Sequence, residues 1–257
     1  MDWKTNRRKV IAGLAGLAGA MAMSPAAHAD TQPTRAIAFD GFPIFDPRGV
    51  VARARTLLGP VGDQLAIQWS AKLFGYSWLV TAAGRYQDFR TLADAALRYV
   101  AATMGVQLDA ATRIALVDAY DNLDLWPDVV PALEKLRGAG VRLAFLSNLG
   151  ENTLNTNMAR NKITQFFEPP LSTDRVARFK PAPEAYAMAI SAFGMPRETI
   201  GFAAFGGWDA AGASWFGYRT AWINRMNLPI EPLDVRPEIV SSGMEGVLAL
   251  AGLSGSR

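Results

Sequence analysis

Four short apolar runs, at residues 36–39, 142–146, 200–205 and 220–223, constrain this chain more than any other feature, because each of the last three follows a helix-like segment. Strands that alternate with helices predict an α/β fold with a parallel, Rossmann-like sheet covered on both faces. The first run ends in Asp40, after which Gly41 and Pro43 break the strand. An acid at the carboxyl end of a buried strand lies where open α/β sheets bind their ligands.

Between the first and second runs, residues 48–125 hold no convincing strand but repeat a helical period, as in Leu92, Ala95, Ala96 and Tyr99. So long a stretch exceeds a simple crossover and predicts an inserted helical cap. Residues 126–131, Trp-Pro-Asp-Val-Val-Pro, mark the return to the core, with Pro127 or Asp128 opening a helix that Gly138 and Gly140 end. The expected organisation is a core built from residues 30–47 and 126–227, a cap at 48–125, and an extended Pro-rich tail at 228–257 with a short helix near 244–250.

The first 29 residues stand apart. Arg7-Arg8-Lys9 precede an apolar, small-residue run at 10–23, and Ala27-His28-Ala29 follow it. This is the pattern of a secretory signal, and the paired arginines point to the twin-arginine route. An uncleaved anchor is the alternative, against which the run is short for a span. Cleavage would leave residues 30–257 as a periplasmic or secreted protein with no stable membrane association. The formal net charge of +3 disappears with Lys4, Arg7, Arg8, Lys9 and Asp2, so composition gives no reason to expect nucleic acid as a partner. Cysteine is absent and His28 is the single histidine. A mature chain without either has no disulfide framework, no thiolate or imidazole metal site and no Ser-His-Asp triad.

Three more loci fall at the carboxyl ends of core strands, where they could converge on Asp40. Ser147 and Asn148 close the second run, although such residues also cap helices. Lys180 precedes Pro181 and Pro183 at the entrance to a helix, although a lone lysine is ordinarily a solvated charge. Asp209 lies in Gly206-Gly207-Trp208-Asp209-Ala210-Ala211-Gly212-Ala213, where small residues let a helix approach the sheet and the acid could equally be an N-terminal cap.

The order Asp, Ser-Asn, Lys-Pro, Asp with an early helical insertion resembles the haloacid dehalogenase superfamily of hydrolases. The resemblance is closest to its 2-haloacid dehalogenase branch, carried by Phe-Asp-Gly-Phe at 39–42, Tyr-Ser-Trp-Leu at 76–79, Gly-Arg-Tyr-Gln-Asp-Phe at 84–89, Leu-Ser-Thr-Asp-Arg-Val at 171–176 and Trp-Asp-Ala-Ala-Gly-Ala at 208–213. It implies hydrolysis of short 2-haloacids without metal or other cofactor. Asp40 would attack the halogen-bearing carbon, form an aspartyl ester and be regenerated by water. Lys180 would balance the carboxylates, Asp209 would orient or deprotonate the water, and Tyr186 would support the lysine. Ser147 and Asn148 would bind the substrate carboxylate or the nucleophile. Phe42, Phe74, Phe89 and Trp208 would form an apolar wall, with ordinary packing as the other reading for Phe74 and Phe89. Dimerisation through the cap is a further implication of the resemblance.

Several positions depart from that pattern. Pro43-Ile44 replaces the usual Gly-Thr after the nucleophile, Ser70 stands where an arginine follows the cap tryptophan, and Ala204 and Gly206 replace serine and asparagine. Lys72, Arg85 and Arg48 are the candidates to replace the arginine. Phe42 and Phe205 stand where a magnesium-dependent phosphatase of this design carries acids, which disfavours phosphoryl transfer. Another small ester or phosphoryl substrate, or a non-catalytic binder of small acids, remain the competing function classes.

Overall fold

Strand β1 (Ala36–Phe39) is buried along its whole length because both of its faces are covered. Ile37 and Phe39 join one apolar cluster and Ala36 and Ala38 the other, the period-2 division expected of a central strand. The computed structural model describes residues 34–253. The export-signal reading of residues 1–29 therefore lies outside the described residues.

The sheet is wholly parallel and has six strands in the order β3-β2-β1-β4-β5-β6. Its other members are β2 (Arg142–Ser147), β3 (Leu171–Ser172), β4 (Ile200–Ala204), β5 (Arg219–Ile223) and β6 (Ile239–Ser241). The chain moves outward from β1 through β2 to β3, then returns to place β4 on the other side of β1. The β1/β4 seam is thus the point where the strand order reverses, and a crevice opens there at the carboxyl ends.

Between β1 and β2 the chain runs through α1 (Arg48–Leu58), α2 (Val61–Ala82), α3 (Phe89–Thr103), α4 (Ala110–Val117) and α5 (Val129–Gly138). Asp88 and Asp109 cap α3 and α4 by accepting from the Thr91 and Thr112 amides at 3.0 and 2.7 Å. The buried stripe of α3 is Leu92, Ala93, Ala96, Leu97 and Val100. Tyr99, expected on that stripe, faces outward instead, with the Lys72 ammonium 4.1 Å from its ring centre. The helical insertion leaves and rejoins the core side by side: Phe45 and Leu125 form an antiparallel bridge, and Trp126 N donates to Ile44 O at 3.2 Å.

The remaining helices are α6 (Glu151–Arg160), α7 (Pro183–Phe193), α8 (Gly207–Phe216) and α9 (Glu245–Leu250). The stretch expected as an extended tail supplies β6 to the sheet, and α9 buries Val247 and Leu250. Its three-residue strand escapes notice in the sequence because it is an edge strand with Val240 half exposed, so it lacks a continuous apolar run. No helix among the described residues is long and apolar enough to cross a membrane.

Candidate active site

Asp40 directly follows β1, held in line with the sheet by its amide, which donates to Ala203 O at 2.9 Å. Ser147 ends β2 and Asn148 follows it; Asp209 is the third residue of α8. Helix α8 can lie close because Gly212 faces the Tyr186 hydroxyl and Pro181, where a β-carbon would come within 2.5 and 2.8 Å. Lys180 reaches the same point from the segment before α7, its backbone amide donating to Asn148 Oδ1 at 3.0 Å.

The lysine sits between the two acids. Its Nζ donates to Asp40 Oδ1 at 2.8 Å and to Asp209 Oδ2 at 2.6 Å. Lys180 is fully buried and the Asp209 side chain is 1% exposed, whereas Asp40 keeps 13% and opens to the crevice. Burial alone would strip the Lys180 proton, but the two carboxylates outweigh it and raise its pKa above the usual lysine value. Burial pushes Asp209 up to about 6 against the pull of Lys180, while the Asp40 charge adds to the rise. At neutral pH Lys180 is therefore charged and Asp209 ionised. Tyr186, whose pKa burial drives well above that of a free phenol, stays neutral and donates to Asp209 Oδ1 at 2.7 Å. Tyr186 does not reach the cavity where substrate would bind: it is buried beneath Asp209, off the wall, and any support it gives the lysine passes through its hydroxyl's bond to that carboxylate.

Above Asp40 opens a cavity of about 510 Å³. Phe42, Phe74, Phe89, Trp208, Ser147 and Asn148 all line it, whereas Lys180 and Asp209 do not. The Phe74 and Trp208 rings meet at 5.5 Å, and Phe42 and Phe205 at 5.8 Å. Asn148 Nδ2 is buried without a hydrogen-bond partner beside the nucleophile, the condition of a donor made for a ligand. Among the described residues, no three His, Asp or Glu side chains converge as metal ligands do. Ile44 is buried off the wall. Ser70 does line the cavity.

None of the three cations considered for the lost arginine stands unpaired at the cavity wall. Arg48 borders the cavity, but its guanidinium is tied to Asp46, with Nε 2.9 Å from each carboxylate oxygen, and stacks on Trp126 at 4.4 Å. Lys72 lies over Tyr99, and Arg85 is exposed away from the wall.

Two further groups shape the site without having been read from the sequence. Trp126 Nε1 donates to Phe42 O at 2.9 Å and Arg225 Nη2 to Pro43 O at 3.0 Å, so both carbonyls after the nucleophile are clamped. Arg225 stacks on the other side of Trp126 at 4.7 Å and pairs with Asp128 at 2.8 Å. Partial burial works against the Asp128 charge, yet Arg225 and the Met244 amide hold its pKa below the usual range. The stretch after Arg225 then supplies Met226, Leu228 and Glu231 to the cavity rim. Trp126 signals only a helix entrance in the sequence, and nothing local there pairs it with an arginine 99 positions later.

An aspartate at the reversal point of a parallel sheet, bridged by a buried lysine to a second acid under a helical insertion, defines a class of hydrolase. Residues 34–217 match the family model of the haloacid dehalogenase-like hydrolases, and the chain belongs to that family. Within it, the chain is 33% identical over 217 residues to the (S)-2-haloacid dehalogenase of Pseudomonas sp. (strain YL), covering 84% of this chain and 94% of the relative. The crystal structure of an L-2-haloacid dehalogenase superposes with a TM-score of 0.83 at 35% identity, over 86% of this chain and 100% of that one. A second, the L-2-haloacid dehalogenase from Xanthobacter autotrophicus with chloropropionic acid covalently bound, gives 0.77 at 26% identity, over 84% and 98%. The protein is accordingly a member of the 2-haloacid dehalogenase family.

Proposed function

We propose that the protein hydrolyses the carbon–halogen bond of a 2-haloacid through an ester on Asp40, without a metal ion. The observation that carries this reading is the buried Asp40–Lys180–Asp209 bridge opening onto an apolar cavity. Oδ1 of Asp40 is held by the ammonium, leaving Oδ2, whose contact with the Phe42 amide is long at 3.4 Å, as the attacking oxygen. Its electron pair forms the bond to C2 while the carbon–halogen bond breaks and halide leaves with the bonding pair. The substrate carboxylate is received by Ser147 and by the unpartnered Asn148 Nδ2.

Water then adds to Cγ of the Asp40 ester as Asp209 takes one of its protons, and the Cγ–Oδ2 bond breaks, so that the substrate leaves as an alkoxide, recovers that proton to become a 2-hydroxyacid, and Asp40 is left to ionise again. Both Asp209 oxygens already accept one hydrogen bond, and each keeps a second lone pair for this task. The ammonium sits between the two carboxylates and balances their charge. The amino-terminal signal pattern supports action after export. Cell fractionation of tagged full-length protein tests that part, and a wholly cytoplasmic, uncleaved chain would refute it.

The first experiment is halide release from the enantiomers of 2-chloropropionate and 2-bromopropionate with chelator present. Release that survives chelation, together with an Asp40 peptide heavier by one 1-carboxyethyl group after quenching, is the expected result. A requirement for magnesium would move the site to phosphoryl chemistry.

A further inference from the structure

We propose that the preferred substrate carries an extended alkyl chain at C2, rather than the hydrogen of a haloacetate or the methyl of a 2-halopropionate. The inference rests on the dehalogenase reading above and adds the class of acid to it. A cavity of about 510 Å³ falls in the range that ordinarily buries ligands well above the size of a 2-halopropionate, which would leave much of the wall unmatched.

The polarity of the wall orients the substrate. Its donors, Ser147 and Asn148, lie at the sheet end beside Asp40, which pins the carboxylate there. The charged residues elsewhere on the lining are Arg48, already occupied by Asp46, and Glu231, which repels a carboxylate from the rim. Toward the helical insertion the lining is mostly apolar, with Val50, Val51, Ala66, Leu73 and Phe74, and Arg48 is its one charged member. Ser70 in this wall is short, so no long cation crosses the space. At the rim, Met226 and Leu228 are 49% and 56% exposed, an apolar lip available for an alkyl chain to cover.

The test is the series 2-bromopropionate, 2-bromobutanoate, 2-bromopentanoate and 2-bromohexanoate, followed as kcat/KM for bromide release by the full chain. Each added methylene buried in the wall is expected to raise kcat/KM about threefold to fourfold, the factor expected for one CH₂ moved out of water. Values that stay flat or fall from propionate onward overturn the proposal while leaving the dehalogenase reading intact. Bromide release from none of the acids overturns that reading instead. Calorimetric binding of propionate, butanoate and hexanoate to Asp40→Asn then decides the substrate class, affinity rising with length in support and equal affinities against. Val51→Phe narrows the hydrocarbon end. It is expected to lower the hexanoate-to-propionate ratio about tenfold, and an unchanged ratio would place the chain elsewhere.

Discussion

The floor and the wall of the site differ in kind. The floor is a bridge of three charges with almost no exposure, in which Lys180 donates to both acids and Tyr186 donates to Asp209. The wall is hydrocarbon and aromatic, partly open, and drawn from the helical insertion and the stretch after Arg225. A buried ion cluster tolerates no loss of a member because each charge is desolvated for the others. An apolar wall loses or gains a methylene for a modest change in free energy. Chemistry and size selection are thus carried by separate parts of the molecule. The departures at Ser70, Ala204 and Gly206 lie outside the floor's three charges.

Asp40→Asn tests the floor most severely. An amide cannot displace halide, so release is expected to fall by about 10⁴-fold or more while the protein still folds, with a lowered thermal midpoint because buried Lys180 loses one of its two carboxylates. Activity within about tenfold of wild type would remove Asp40 from the reaction. Lys180→Met comes next and reads stability as well as rate. It leaves Asp209 as a fully buried carboxylate without its cation, a change expected to cost about 3–5 kcal/mol in urea unfolding at pH 8. The loss should shrink at pH 5, where the stranded acid takes up a proton. A loss under about 1 kcal/mol would mean that the bridge is no more than a surface ion pair in its energetics.

The pH profile carries a smaller effect with a definite sign. Asp209, raised from the ordinary carboxylate range to about 6, holds its proton more tightly in the folded chain than in the unfolded one. Its contribution to stability therefore falls as pH rises from about 4 to 6. The water-activating form appears over the same range, so kcat, which includes the hydrolytic step, should drop about tenfold per pH unit below about 6. Lys180, raised above the usual lysine value, imposes no alkaline loss until beyond that value. If the acidic limb is limited by the hydrolytic step, acid-quenched enzyme at pH 5 should accumulate the Asp40 ester. Accumulation that is greatest at pH 8 would contradict Asp209 as the base.

How much of this was legible follows from how local each signal is. Strand β1 and Asp40 are readable because a continuous apolar run meets a turn, and Asp209 because small residues around it announce close helix packing. Strand β3, two residues long, is too short to show any period. A lysine buried between carboxylates reads as a solvated charge until its partners, 140 and 29 positions away, are placed. Arg48 and Lys72 reverse the lesson: both have the right charge in the right segment, and each is drawn to a different partner by the folded surface. The clamp of Trp126 and Arg225 on the carbonyls after Asp40 arises only from tertiary contact.

The mildest prediction concerns the wall alone. Phe74 meets Trp208 at 5.5 Å and reaches no member of the charged floor by a hydrogen bond or ring contact. Aromatic pairs of this kind are worth about 0.5–1.5 kcal/mol beyond the area they bury. Phe74→Ala should therefore raise KM for 2-bromopropionate between about twofold and tenfold and leave kcat within about threefold, because the lost contact is made equally in the ground and transition states. The pH at which the acidic limb begins should not move, since the surroundings of Asp209 are untouched. A fall in kcat comparable to that of Asp40→Asn, or a shift of the limb away from about pH 6, would show that wall and floor are energetically coupled. The separation of size selection from chemistry would then have to be abandoned.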